Sequence, residues 1–396
     1  NRKKSDATVL SFYELISNAS DKYKNVESKS NDPALIIYTS GTTGDPKGAL
    51  LPHKVLLGHI PGVEMPHEFL TSSHPVTDCF WTPADWAWIG GLFDVLMPAL
   101  FFGIPVISYR SSKFDPEFTF TLLEKYEVKN TFIPPTALKM MKSFNQNFKG
   151  KNLKLRTLGS GGESLGQELL KWGKEIFDVG INEFYGQTEC NLTISNCGLI
   201  MKQKLGSIGK PVPGHNVRLM NKEGSFINDE NEEGEIVVNS SSPSTFLGYW
   251  NNKSETEKKI IDGWLHTGDY ATLDEDGYFY FKGRKDDLIN SSGYRIGPSE
   301  IENTILSIDE VEMAAVVGVP DDLRGQIVKA VIVPKNKFYI NTQNLELKDK
   351  IKNKVKDKLA AHEYPRIIEF VYELPLTTTG KIKRNIIREN HLKENK

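Results

Sequence analysis

At 396 residues the chain can bury a large core and should hold at least two domains. Its hydrophobic share of 39%, charged share of 25% and aromatic share of 10% exclude a disordered or low-complexity protein. A formal net charge of -2 excludes strong attraction to nucleic acid or an anionic membrane, and three cysteines, Cys79, Cys190 and Cys197, give neither a disulfide framework nor a zinc spacing.

A reducing, cytoplasmic setting is expected from that cysteine usage. The N-terminus Asn1-Arg2-Lys3-Lys4 runs into mixed polar sequence rather than an apolar core, so no leader is expected. A helix is predicted over Ser11 to Lys24, then a polar connection, then a buried strand at Leu35-Ile36-Ile37-Tyr38. The next stretch, Thr39-Ser40-Gly41-Thr42-Thr43-Gly44-Asp45-Pro46-Lys47-Gly48, packs four hydroxyls and three glycines into ten residues. Glycine lets backbone N–H groups approach an anion, threonine and serine add hydroxyl donors, and Lys47 adds a full charge, so the loop suits a polyphosphate. It is not the G-x-x-x-x-G-K-[ST] loop, because Pro46 stands where the second glycine should be. A polar surface loop with an incidental lysine is the alternative for such a run taken alone.

Ala49 to Val63 reads as a helix, and Ile89 to Ile107 as a buried helix running into a buried strand. Asp94, Pro98 and Pro105 interrupt that segment too often for a membrane span. Strands are predicted at Ile104 to Tyr109, Asn130 to Ile133, Leu155 to Leu158 and Ile181 to Tyr185. They alternate with helices at Pro116 to Tyr126, Pro135 to Phe144 and Ser164 to Phe177, which implies a largely parallel sheet. From Gly206 to Gly283 short strands and tight turns replace this rhythm, including Gly234 to Asn239 and a hairpin at Asp274-Glu275-Asp276-Gly277, which suggests a small barrel or antiparallel sheet. The serine-rich run Asn239 to Ser244 reads as a solvated loop. Past Gly283-Arg284-Lys285-Asp286-Asp287 come a helix at Pro298 to Leu306, strands at Ala314 to Val319 and Ile327 to Val333, and a Lys-rich helix from Asn344 to Ala360 with a solvated face. The expected fold class is thus an α/β large domain with a small antiparallel β-barrel-like part, residues 1–285, followed by a small α+β domain, residues 286–396.

Further polar motifs follow predicted strands. Gly161-Gly162-Glu163-Ser164 could let a flat base lie on backbone, or could be a strand-to-helix turn with Ser164 as cap. In Tyr185-Gly186-Gln187-Thr188-Glu189 the carboxylate of Glu189 is the hard oxygen ligand that Mg2+ wants. His266-Thr267-Gly268-Asp269 offers a carboxylate of the kind that accepts from ribose hydroxyls.

Taken in order, these segments resemble the adenylate-forming (AMP-binding) superfamily, most nearly the short- and medium-chain acyl-CoA synthetases of the acetyl-CoA synthetase type. The resemblance covers the chain from about Asn31 onward. It implies a ligase that uses ATP, Mg2+ and CoA with a carboxylic acid as partner, forms acyl-AMP and then acyl-CoA, and needs neither nucleic acid nor a membrane span. On that resemblance Thr39, Ser40, Gly41, Thr42, Thr43, Gly44 and Lys47 form the phosphate loop. Gly162, Glu163, Ser164 and Tyr185 border the adenine, Asp269 and Arg284 meet the ribose, Thr188 meets the phosphates, and Glu189 holds the metal. Asp286 is the hinge of the small domain, Ser292 and Gly293 line the pantetheine channel, and Arg295 contacts phosphate. Lys381, within Thr379-Gly380-Lys381, is the catalytic lysine that bridges two anions. Trp88, Ile89, Gly90, Gly161 and Gly186 would line the acyl pocket. Acetate-specific relatives carry tryptophan at the position of Gly186, so a preference for acids longer than acetate, C3 to medium chain, is expected. The family also has a substantial region ahead of the phosphate loop, so the chain is expected to be incomplete at its N-terminus and to expose apolar surface. An enzyme loading a carrier protein, and a catalytically silent nucleotide-binding fragment, remain alternative readings.

Overall fold

The computed structural model describes residues 11–39, 46–70, 78–109, 114–144, 152–163, 165–342, 344–360, 362–376 and 382–394, with only the backbone of Arg295. One of the two six-stranded sheets among these residues runs in the order Phe80–Trp81, Asn130–Phe132, Thr157–Gly161, Ile181–Gln187, Asn191–Ser195, Lys210–Pro211. The first four strands are parallel and the last two antiparallel. Side chains alternate across the pleat, and the two cores follow from that. Trp81, Ile133, Leu158 and Ile181 pack with the helices Pro116–Lys125, Pro135–Phe144 and Gln167–Phe177 on one side. Phe80, Phe132, Phe184 and Leu192 pack on the other with Val63, Val95 and Ala99. The latter two lie on a helical run from Ile89 to Phe102 whose middle, Leu92–Leu96, is π-helical and whose end is capped by Gly103 at φ 71°.

Several sequence expectations are corrected. The helix expected over Ala49 to Val63 is a strand, Lys47–Pro52, and then a helix, Val55–Glu64. Ala49, Leu50 and Leu51 pair with Ile37, Ile36 and Leu35 across an antiparallel hairpin, which satisfies their backbone groups locally. The phosphate-loop segment therefore joins two antiparallel strands of a three-stranded sheet, Pro33–Thr39, Lys47–Pro52 and Gly248–Tyr249, and does not leave the parallel sheet. The strand expected at Ile104 to Tyr109 is reduced to a bridge between Val106 and Phe80. Gly161 belongs to a strand, and the following helix starts at Gln167 behind Gly166 at φ 74°. The first helix is only Phe12–Asn18, capped by Ser11. The serine run is not solvated throughout. Ser242 and Ser244 are buried, and the Ser244 hydroxyl donates to the Cys190 carbonyl at 2.6 Å.

The antiparallel part is a sheet of Phe226–Ile227, Val217–Met220, Gly234–Asn239, Trp264–Leu273 and Ile260–Ile261, with Phe279–Arg284 added to Trp264–Leu273 by the expected hairpin. A separate five-stranded sheet forms from residues 289–370. Its strands Gly325–Pro334 and Val311–Asp321 pair antiparallel, and Ile367–Phe370, which sequence did not reveal, joins parallel. The helices Pro298–Leu306 and Leu345–Lys358 cover it, the second burying Leu347, Ile351 and Val355 at i, i+4 spacing and leaving its lysines outward. A terminal helix, Arg384–Glu394, packs Ile387 beside Leu374 on the other face. The two parts meet where Lys282 pairs with Glu300 at 2.8 Å and where Gly166 lies against Asn303. Among the described residues no helix is long and apolar enough to cross a membrane.

Candidate active site

The strand Ile181–Gln187 carries the site, because alternation turns Glu183, Tyr185 and Gln187 to one face. The Tyr185 hydroxyl donates to Asp269 Oδ2 at 2.6 Å, and Gln187 Nε2 donates to the same oxygen at 2.5 Å and to the Thr267 carbonyl at 2.9 Å. Burial, and then the Asp269 charge, push the Tyr185 phenol far above its ordinary range, so it stays a donor. Asp269 is itself buried, and its backbone N–H donates to Thr267 Oγ1 at 3.0 Å while that hydroxyl donates to the Ile236 carbonyl at 2.7 Å. Arg284 is the cross-strand partner of Asp269. Burial would lower the Arg284 guanidinium, but the charges of Asp269, Asp287 and Asp286 raise it. Its Nε is buried without a hydrogen-bond partner among the described residues. An unmet donor beside a carboxylate fits a hydroxyl-bearing ligand such as a ribose.

A second cluster stands at the far end of the same strand and turn. Glu189 is buried, and its Oε1 accepts from the Tyr249 hydroxyl. Lys47 pairs with Glu255, and its Nζ lies 5.3 Å from the centre of the Tyr249 ring. Glu255 also pairs with Lys258 at 2.6 Å, and the hydrogen bonds from Lys258 and Lys47 hold its carboxyl down at about 2. The helix Lys253–Lys259 joins the clusters. It brings Glu255 to Lys47 and sends Lys259 Nζ to Gln187 Oε1 at 3.0 Å and the Thr267 carbonyl at 3.1 Å. Lys47, Glu189 and Asp269 therefore stand on one connected set of side chains.

No group of three or more His, Cys, Asp or Glu side chains suited to a metal occurs among the described residues. One buried carboxylate is nevertheless what Mg2+ needs when phosphates and water supply its other ligands, so Glu189 fits that ion. Thr39 and Lys47 face each other as the last pair before the connecting loop of the hairpin, where Thr39 Oγ1 donates to the Lys47 carbonyl at 3.4 Å. Ser40, Gly41, Thr42, Thr43 and Gly44 lie outside the described residues, as do Ser164 and Lys381. Thr188 sits half-buried in the turn between Tyr185 and Glu189. Gly162, at φ 95°, precedes Glu163, whose carboxylate accepts from Thr136 Oγ1 at 3.0 Å and faces Lys139 at 3.9 Å.

Gly90, Gly161 and Gly186 are close-packed. A Cβ on Gly90 would stand 2.6 Å from the Trp88 ring, and one on Gly161 2.5 Å from the Phe184 ring. Trp88, Phe132 and Phe184 continue as an aromatic row with centroids 5.9 and 5.3 Å apart, next to buried Ile89. At Gly186 a strand bulge brings the backbone so near that a Cβ would lie 1.9 Å from the Asn191 carbonyl oxygen. The expectation of open room at Gly186 is thus corrected, since Asn191 backbone already fills it.

Ser292 and Gly293 form the exposed turn of the hairpin Ile289–Ser291 and Tyr294–Ile296, with φ 50° and 85°. The contacts of this hairpin, Ser292 N–H to the Arg324 carbonyl and Tyr294 stacked at 4.0 Å on His362, stay within the second sheet and its surroundings. Arg295 pairs through its backbone with Asn290. Asp286 is exposed, whereas its neighbour Asp287 is buried and accepts from Arg388 at 3.0 Å and Arg384 at 3.5 Å. Arg384 also donates to both oxygens of Glu302 at 2.8 Å. On either side of Lys381, Leu376 and Ile382 are bridged, and Lys383 N–H donates to the Pro375 carbonyl at 2.8 Å.

Sequence reasoning missed Tyr249, Glu255, Lys259, Glu183 and the Asp287–Arg384–Glu302 set. Asn252, whose side chain accepts from Glu255 N–H at 3.2 Å, was the one local signal, an Asn cap three residues before an acid. Glu183 is buried against Leu165, whose N–H donates to its Oε1 at 3.3 Å, and burial pushes its carboxyl up to about 8.

Residues 2–250 match the family of AMP-binding enzymes, and residues 300–381 the AMP-binding enzyme C-terminal domain. Acyl-coenzyme A synthetase ACSM4, mitochondrial, from Mus musculus is 36% identical over 391 residues, which cover 96% of this chain and 65% of that protein. The chain thus spans about two thirds of the length of the curated relatives it matches. The anthranilate CoA ligase AuaEII, solved with anthranoyl-AMP, is similar at a TM-score of 0.87 and 28% identity, over 100% of this chain and 73% of that one. MatB from Rhodopseudomonas palustris, 27% identical over 97% of this chain and 73% of its own, superimposes at 0.84 in its ATP-bound structure and at 0.71 in its apo structure.

Proposed function

Since the chain belongs to the family of AMP-binding enzymes, we propose that it takes part in activating a carboxylic acid with ATP and passing the acyl group to CoA. The observation that carries this is the convergence of Asp269, Tyr185, Gln187, Glu189 and Lys47 on one cluster linked through the helix Lys253–Lys259. The acid and ATP first give acyl-AMP and pyrophosphate, and the CoA thiol then displaces AMP to leave the thioester. Asp269 and Arg284 supply an acceptor and an unmet donor for ribose hydroxyls. Lys47, with Thr39 and the loop up to Gly44, takes the phosphates, and Glu189 is the carboxylate for Mg2+, which would neutralise phosphate charge when bound. Thr188 stands in the turn between the two groups. Lys381 would offset the repulsion between the attacking carboxylate and the α-phosphate.

The names of the mouse synthetase and of the anthranilate ligase support CoA as acceptor. We read residues 1–285 and 286–396 as two domains that rotate about Asp286, which carries Lys381 away after the first step and brings Ser292, Gly293 and Arg295 into use for the second. The better superposition on ATP-bound than on apo MatB supports the adenylating arrangement for the described state. A cytosolic location carries over from the cysteine usage; the mitochondrial name of the mouse relative makes the mitochondrion the other candidate, and fractionation decides between them.

The acyl group is read as longer than acetate, with its tail against Trp88, Phe132 and Phe184 rather than at Gly186. Pyrophosphate release measured over a ladder of carboxylates, with and without CoA, tests the activity and its acceptor together. No release on any rung would end this reading for the chain. On the same ladder Trp88→Leu should move the optimum to longer acids, by roughly fourfold in kcat/KM per added methylene at about 0.8 kcal/mol each. An unmoved profile would remove Trp88 from the pocket.

A further inference from the structure

Tyr249 is the one described side chain that touches both the metal-side carboxylate and the phosphate-side lysine. Its hydroxyl donates to Glu189, and its ring lies under Lys47. The residue has little freedom to do otherwise. Its backbone pairs with Ala49, two residues beyond Lys47 on the strand that leaves the phosphate-loop segment, and its N–H donates to Thr256 Oγ1 at 2.8 Å. The Phe246 ring meets its ring edge-on at 5.1 Å, and the Phe246 N–H donates to the Glu189 carbonyl at 2.9 Å. One strand thus fixes the phenol relative to the phosphate-loop hairpin, and one short loop fixes it relative to Glu189. Glu255 completes the arrangement by holding Lys47 over the ring from the helix side, with Lys258 as its second cation.

We propose that Tyr249 is a positioning residue that ties Glu189 to Lys47, so that metal and triphosphate are received in one geometry, and that Glu255 is the acid Lys47 leaves when phosphate arrives. The proposal rests on the nucleotide reading above. A buried carboxylate that loses its only side-chain donor among the described residues gains rotamers and a desolvated lone pair, and removal of such outer partners costs metal affinity roughly 10–100-fold. Lys47 behaves differently, because the cation–π contact needs only the ring, which phenylalanine keeps.

Titration calorimetry of ATP into the chain, with and without Mg2+, separates these roles without relying on turnover. Tyr249→Phe should raise the Mg2+ concentration that half-maximally strengthens ATP binding by roughly 10–100-fold, while metal-free ATP affinity and the thermal midpoint stay near wild type. Glu255→Gln, a half-exposed change that spares the core, should tighten ATP severalfold in both conditions and leave the Mg2+ midpoint in place. An unchanged Mg2+ midpoint in Tyr249→Phe, an equal loss of ATP affinity with and without metal, or a Mg2+ midpoint shifted by Glu255→Gln would each overturn the proposal while leaving the nucleotide site standing. Absence of Mg2+-dependent ATP binding in the wild-type chain would sink the nucleotide reading, and the proposal with it.

Discussion

Glu183 shows how one buried side chain can set a pH response. Its carboxyl is held near 8 against an ordinary 4.5 because burial penalises the charged form, so the folded chain keeps a proton that the unfolded chain releases. The penalty is absent below about 4.5, grows as pH rises, and is complete above about 8. Glu183→Gln is neutral at every pH and still accepts from the Leu165 N–H. It should match wild type near pH 4.5 and melt at least about 2–4 °C higher at pH 8, each kcal/mol being worth about that much in a domain of this size. Equal melting differences at both pH values would contradict this origin. Residues such as Tyr185, Glu189 and Asp269 were legible in sequence because they sit in short motifs next to glycine and threonine. Glu183, Tyr249 and Glu255 were not, because their meaning lies in partners far along the chain. Lys47 and Glu255 are 208 positions apart, and no local pattern announces the pairing.

At the scale of elements, periodicity found most helices and strands and failed where period was ambiguous. The run from Ala49 to Val63 is apolar on both flanks of Pro52-His53-Lys54, and that short break, easily read as one face of a continuous helix, is where the strand Lys47–Pro52 gives way to the helix Val55–Glu64. The terminal helix Arg384–Glu394 escaped notice for the opposite reason, since only Ile387 on it is buried. Ion pairs dock it instead. Arg384 bridges Glu302 and Asp287, and Arg388 adds a second bond to Asp287. Asp287 and Glu302 are both buried; Arg384→Ala would leave Asp287 with Arg388 but strand the Glu302 carboxylate without a cation, at a cost of about 3–5 kcal/mol to the second part of the molecule. Urea unfolding measures it. Adding Glu302→Gln should return part of the loss, and failure to recover any would mean that the arginine acts through packing alone.

At the scale of the whole molecule, the proposed activity asks one cluster to serve two half-reactions. On the rotating-domain reading, Lys381→Ala should abolish pyrophosphate release from ATP and spare thioester formation from supplied acyl-AMP. Loss of both together would contradict the division of labour. The order of the mixed sheet, the antiparallel sheet and the C-terminal sheet along the chain could be read from the changes in texture near residues 206 and 284. Their docking could not, because it depends on single contacts such as Lys282 with Glu300 that leave no trace in composition.

The small hairpin sheet also matters at the bench. Ile36, Tyr38 and Trp250 all face solvent around Gly48, and among the described residues Pro33–Thr39 has a strand neighbour on one side only. Bare strand edges beside greasy patches adhere to one another as solutions are concentrated. Dilute samples, with light scattering before each titration, are therefore the condition under which binding constants for this chain describe single molecules rather than clumps.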